Sequence, residues 1–154
     1  MYQHLYGFEP LILRPSNTFG PGQTRQGVQG LIGTFLERII DDKPLEVWGN
    51  GEVVRDYIFI EDLVRLFISA IESTETGVFN VGSGKGYSVN EVVNVIRHMI
   101  QTENISVKYK DARAYDVPEV VLDISKVQQR FTWQPKVDLE EGVRKHFEWV
   151  SANQ

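Results

Sequence analysis

Two arginines stand where a ligand could meet them. Arg55 lies between Val54 and Asp56 just after a glycine turn, and Arg113 precedes Asp116 by three residues in a segment of mixed polar character. In a chain of formal net charge -5, an arginine at a loop or strand edge is a candidate for two-pronged binding of a phosphate, which lysine does less well. Taken singly, each is more often a surface ion-pair partner than a ligand residue.

Other arrangements with chemical potential fail on spacing. The loop Gly82-Ser83-Gly84-Lys85-Gly86 falls between an expected strand and helix, where a phosphate cradle would sit. A dinucleotide fingerprint, however, needs a third glycine where Tyr87 stands, and a P-loop needs Ser or Thr where Gly86 stands. The glycines are therefore read as serving a tight turn. His4, His98 and His146 form no metal-binding H-x-x-x-H pair, and His98, off the apolar face of its helix, reads as solvated. No serine occupies a G-x-S-x-G elbow. The acid pairs Glu61-Asp62 and Glu140-Glu141 flank helix starts, where the macrodipole accounts for them, and Asp41-Asp42 flanks a helix end. Asp56 is read as ordering its turn.

The elements that must position the arginines follow from apolar periodicity. Pro10 to Pro15 reads as a buried strand running into a loop, and Gly30 to Asp42 as an amphipathic helix. A short strand from Leu45 to Trp48 stops at Gly49-Asn50-Gly51, and a second strand is expected around Tyr57 to Ile60. A helix from about Glu61 to Ser73 would turn Leu63, Val64, Phe67 and Ile71 inward. Val78 to Val81 reads as a strand, followed by the glycine loop and a helix opened by Ser88 and Glu91 at capping-box spacing. Ile105 to Tyr109 fits a strand, Asp123 to Arg130 a short helix capped by Asp123, and Asp138 to Val150 a last helix. The alternation gives an α/β class, with strands few and short for a self-sufficient parallel sheet.

With 154 residues, 42% hydrophobic and 24% charged, the chain suits one globular domain. Its acidic balance argues against general nucleic-acid binding. The lack of cysteine removes disulfide, zinc-thiolate and thiol-nucleophile chemistry and fits a reducing compartment, so the cytoplasm is the expected location. No apolar run approaches the length that crosses a bilayer, and no membrane partner is expected.

Four ordered stretches resemble the extended short-chain dehydrogenase/reductase family, in particular its nucleotide-sugar epimerases. They are ILRPSNTFGPGQ (12–23), LEVWGNGEVVRDYIFIEDL (45–63), GVFNVGSG (77–84) and ARAYDVPEVVLDISKV (112–127), with FTWQPKVDLEEGV (131–143) like the family's closing helix entry. The resemblance implies that residues 1–154 form the C-terminal, substrate-binding portion of an extended Rossmann-type epimerase. Residues 1–26 and 77–100 would contribute elements, including a few strands of the parallel sheet, to the dinucleotide-binding part. It further implies that Asn17 touches the diphosphate or sugar and that Pro15 lies near the nicotinamide. Leu31 would pack on the nucleotide, and main-chain groups of Glu46 and Trp48 would pair with the uracil edge. Arg55 and Arg113 match the family's phosphate arginines, and Asp116 its ribose-binding acid. Two positions depart from the pattern: Gly30 stands where many members carry Asn, and Val120 where galactose epimerases often carry an aromatic.

The family's oxidoreductase step uses a Tyr base tuned by Lys in Y-x-x-x-K while hydride passes to NAD. None of the six tyrosines here has a lysine four residues on, and the glycine-rich fingerprint is absent as well. In the family both lie upstream of the matching region. The NAD-binding half is thus expected outside this chain, with Met1 an expression start or the start of a truncated reading frame. No catalytic residue and no NAD binding are expected of the chain alone. Its expected partners are a UDP-sugar and, through exposed strand edges, further copies of itself. The sister chemistries, 4,6-dehydratase or decarboxylase, share this half, and a UDP-sugar-binding module without turnover is the alternative from another class.

Overall fold

The computed structural model describes residues 2–23, 30–101, 105–112 and 116–153. After a short helix α1 (Tyr2–Tyr6), strand β1 (Leu11–Pro15) pairs in parallel with β5 (Gly77–Val81). Strand β3 (Leu45–Trp48) pairs in parallel with β7 (Val107–Lys110). The third sheet is built around β4 (Val54–Phe59), which takes β2 (Asn17–Phe19) and β8 (Glu119–Val120) in parallel and β6 (Gly86–Ser88) antiparallel. Helices α2 (Leu31–Ile40), α3 (Ile60–Ile71), α4 (Val89–Met99), α5 (Ser125–Phe131) and α6 (Leu139–Ala152) complete an α/β architecture with parallel strand pairs.

Strand β4 divides two apolar cores, because successive side chains leave a strand on opposite faces. Tyr57 and Phe59 enter a core with Phe19, Phe35, Leu36, Val92, Ile96 and Val143, between β4 and helices α2, α4 and α6. Ile58 enters the other, with Leu66, Phe79, Val127 and Trp133. Phe19 and Phe59 meet edge to face at 5.6 Å. His146, fully buried in α6, lies 6.4 Å from both the Phe19 and Trp149 rings, and neither ring nitrogen has a hydrogen-bond partner. Burial pushes its pKa down to about 4, so it is a neutral core residue at pH 7.

Local signals explain the helix ends. Ser88 Oγ accepts from the Glu91 amide while Glu91 Oε2 accepts from the Ser88 amide, the reciprocal box that the spacing predicts. Asp138 Oδ1 accepts from the Glu141 amide and opens α6. Asp62, beyond any helix-dipole role, is fully buried and accepts from the amides of Lys136 and Val137, each at 3.0 Å, and from Arg65. It ties the turn before α6 to the start of α3.

Four sequence expectations need correction. The strand expected around Tyr57 begins at Val54, because Val54, Arg55 and Asp56 pair with β6. Gly86 belongs to that β6 strand, so the glycine loop joins strand to strand before the helix starts. Asp123 is not the N-cap of α5; Ile124 is, although the Asp123 carboxylate accepts from the Ser125 amide at 2.9 Å. In α3 the inward residues are Asp62, Leu63, Leu66 and Ala70, while Val64, Phe67 and Ile71 are exposed with Ile68. That helix is apolar on two sides, so periodicity alone could not choose between them. His98 is exposed as expected, with Nδ1 3.1 Å from Glu140 Oε1. Among the described residues, no helix is long and apolar enough to cross a membrane, and no three His, Cys, Asp or Glu side chains cluster to hold a metal.

Candidate functional site

The face of β4 that carries Arg55 and Tyr57 opens into a cavity. Asn17 stands beside Tyr57 in the β2–β4 register, and Leu31 is the first residue of α2. Asn17, Leu31, Arg55 and Tyr57 line a cavity of about 210 Å³ together with Thr18 and Val89. Three residues singled out in the sequence, from three different elements, therefore meet in one place. Asn17 Nδ2 donates to the Asp56 carbonyl at 3.1 Å, which fixes its amide at the rim. Arg55 Nη1 donates to the carbonyls of Val54 at 2.8 Å and Val117 at 2.7 Å. Among the described residues, Nη1 is the guanidinium nitrogen that makes these anchoring bonds, and Nη2 and Nε have no partner.

A second cavity, about 220 Å³, is lined by Trp48, Asn50, Glu52, Val53, Asp116 and Pro118, among others. The Arg55–Val117 hydrogen bond holds the 116–118 segment between Arg55 and this space. Strand β3 forms one wall. Leu45 donates its amide to Ser106 and Gly49 to Lys110, so in this parallel ladder residues 45, 47 and 49 face β7. The amide and carbonyl of Glu46 and of Trp48 consequently point the other way, with N–H, C=O, N–H and C=O in turn along that edge. The Glu46 side chain is committed elsewhere. It pairs with Arg38 at 2.8 Å and Lys110 at 2.5 Å, and the Lys110 hydrogen bond chiefly holds its carboxyl below the usual carboxylate range. Lys110 Nζ also lies 5.2 Å from the Trp48 ring centroid.

The opposite face of β4 carries Asp56, buried and saturated. Its carboxylate accepts from Ser16 Oγ, from the amide and hydroxyl of Ser83, and from the amides of Gly84 and Leu122 at 2.8–3.3 Å. The amides of Ser83 and Gly84 thus point at a carboxylate of the protein itself. This is the physical meaning of the glycine loop: it cradles an anion, and the anion is Asp56. A Cβ on Gly82 would sit 2.3 Å from Asp56 Oδ2, which accounts for glycine there.

Pro15 ends β1, exposed, in register with Val81, and the next amide, Ser16, donates to the Val81 carbonyl at 2.7 Å. Arg113 lies outside the described residues. At Gly30, where the family pattern often has Asn, φ is +102° and a Cβ would stand 2.2 Å from Gln23 Nε2, so this backbone is built for glycine. Val120, in register with Arg55 on β8, is exposed. Sequence reading missed Tyr57 as a lining residue, although its two-residue spacing from Arg55 along a strand carries that signal.

The family model for GDP-mannose 4,6 dehydratase matches residues 1–146. The chain belongs to this family. Within it lies the extended short-chain dehydrogenase/reductase likeness of the sequence motifs. A putative UDP-glucose 4-epimerase of Methanocaldococcus jannaschii is 31% identical over 153 residues, covering 99% of this chain and 49% of the relative. The UDP-glucose 4-epimerase of Thermotoga maritima, solved with UDP-glucose, superposes with a TM-score of 0.91 at 34% identity, covering 99% of this chain and 49% of that one. The UDP-glucose 4-epimerase of Thermus thermophilus, solved with NAD, gives a TM-score of 0.89 at 28% identity, covering 99% and 50%. The family member described here spans about half the length of these relatives.

Proposed function

We propose that this chain is the C-terminal, sugar-nucleotide-binding portion of an NAD-dependent nucleotide-sugar epimerase of the UDP-glucose 4-epimerase type. In this reading residues 1–26 and 77–100 belong to the Rossmann part of the whole protein. The observation that carries the proposal is the meeting of Asn17, Leu31 and Arg55 on one cavity, next to a second cavity that holds Trp48 and Asp116.

Each residue has a defined task in this reading. Arg55, anchored through Nη1, turns its remaining nitrogens to the diphosphate, and Arg113 supplies a second fork. The Asn17 amide meets the diphosphate or sugar, and Leu31 packs on the nucleotide. Asp116 accepts from a ribose hydroxyl. The alternating main-chain donors and acceptors of Glu46 and Trp48 suit the acceptor–donor–acceptor edge of uracil or thymine, which supports a UDP-type ligand.

In the whole protein NAD would supply reversible hydride transfer at the sugar ring. The glycine loop 82–86 does not fit NAD as a phosphate holder, since the amides of Ser83 and Gly84 are committed to Asp56. Pro15, at the end of β1, is the residue here that would approach the nicotinamide. The family description also accommodates 4,6-dehydratase chemistry on the same substrate half. Self-association is part of the proposal, because β1 and α3 leave Ile12, Val64, Phe67, Ile68 and Ile71 exposed. Titration of UDP into the wild-type chain and into Arg55→Ala tests the site: UDP should bind, and the substitution should weaken it.

A further inference from the structure

Tyr57 is the side chain in the Arg55 cavity whose polar atom has no task in the fold. It is 7% exposed, its ring packs in the core, and its hydroxyl bonds to no described residue. The ring is packed while the hydroxyl, which is not among the sealed unpartnered atoms of the core, reaches the cavity, and a tyrosine whose ring alone matters is replaceable by phenylalanine. Tyr57 is in register with Asn17 and two residues along β4 from Arg55, so all three side chains emerge on one face of the sheet.

We propose that the Tyr57 hydroxyl contacts the ligand, donating a hydrogen bond to a phosphate oxygen of the nucleoside diphosphate beside Arg55. This rests on the reading of the cavity as a sugar-nucleotide site. Tyr57 also borders a smaller cavity, about 140 Å³, that includes Lys85, Lys136 and Asp138. The larger cavity is the one that also holds Arg55 and Asn17, on the same face of the sheet as Tyr57, and a phosphate at Arg55 would lie on that side of the phenol. Burial raises its pKa to about 12 against the opposing pull of Arg55, so at neutral pH it is a proton-bearing donor suited to an anionic oxygen. Arg55 supplies charge and Tyr57 supplies a directed neutral donor, which a phosphate with several oxygens can accept together.

The test is calorimetric titration of UDP, and separately of uridine, into wild type, Tyr57→Phe and Arg55→Ala at fixed salt, with thermal unfolding of each variant without ligand. Tyr57→Phe should weaken UDP about five- to tenfold, the size of one buried hydrogen bond. It should leave uridine binding and the ligand-free melting temperature unchanged or slightly raised, since no protein partner is lost. If Arg55→Ala weakens UDP and Tyr57→Phe does not, the site reading stands and the inference about Tyr57 falls. If wild type binds no UDP, both fall. Equal weakening of uridine and UDP would remove the phosphate contact, and a lowered ligand-free melting temperature would assign the hydroxyl to the fold; either overturns the proposal.

Discussion

The two faces of β4 carry adjacent charged residues with opposite fates. Asp56 is enclosed, and five donors from the 16, 83–84 and 122 segments converge on its carboxylate. Arg55, one residue earlier, is held by a single nitrogen at the wall of a cavity. One charge has its partners within the fold, and the other keeps donors in reserve. The contrast teaches that a buried, saturated carboxylate beside a half-spent guanidinium is a structural device supporting a binding one: Asp56 fixes the loops and, through its own carbonyl, Asn17.

The contrast breaks hardest at Asp56. Asp56→Ala strands several buried donors and should cost about 3 to 5 kcal/mol in urea unfolding, and Asp56→Asn should recover only part of that, because an amide opposes two of the amides it faces. A loss below about 1 kcal/mol would show that the loops are held by other means. His146 lies in the core beneath the Arg55 face and sharpens the comparison by pH. Its folded pKa is depressed to about 4. Its contribution is therefore fully present above the unfolded value near 6.5 and is lost as pH falls through that value toward 4. Wild type should lose about 2 kcal/mol from this residue between pH 7.5 and 5, and His146→Leu should lack that part of the slope. Identical slopes would contradict the neutral buried assignment. The smallest effect on the fold is expected at α3, on the Asp56 side of the strand. The double variant Ile68→Thr and Ile71→Thr should change unfolding by no more than about 0.5 kcal/mol. It should sediment as a monomer at concentrations where wild type associates; a monodisperse wild type at high concentration would contradict the self-association.

Much of this was legible in the sequence, and the exceptions have causes. The capping box at Ser88 and Glu91, the prolines fencing β1 and the turn after Trp48 are local signals, and local physics places them. The short strands β2, β6 and β8 were not legible, because they exist only through pairing with β4 across long separations. The two-sided apolar pattern of α3 conceals which face turns inward. At the site, the family resemblance named Asn17, Leu31 and Arg55, and the fold supplies the cavity they share. Tyr57 needed the observation that its hydroxyl is left over, which no motif contains.

The most direct measurement is titration of UDP into the 154-residue chain, its Arg55→Ala and Arg113→Ala variants and Arg55→Lys at one fixed salt concentration, with GDP as comparator. A charge-assisted hydrogen bond contributes roughly 1.5 to 3 kcal/mol, so each alanine variant should bind UDP about ten- to a hundredfold more weakly. Arg55→Lys should recover only part of the loss, since a point charge cannot hold the two carbonyls and a phosphate as a fork does. GDP should bind more weakly than UDP. Binding of UDP by wild type that neither alanine substitution weakens, or no binding by wild type, would contradict the assignment of the phosphate site to this face of β4.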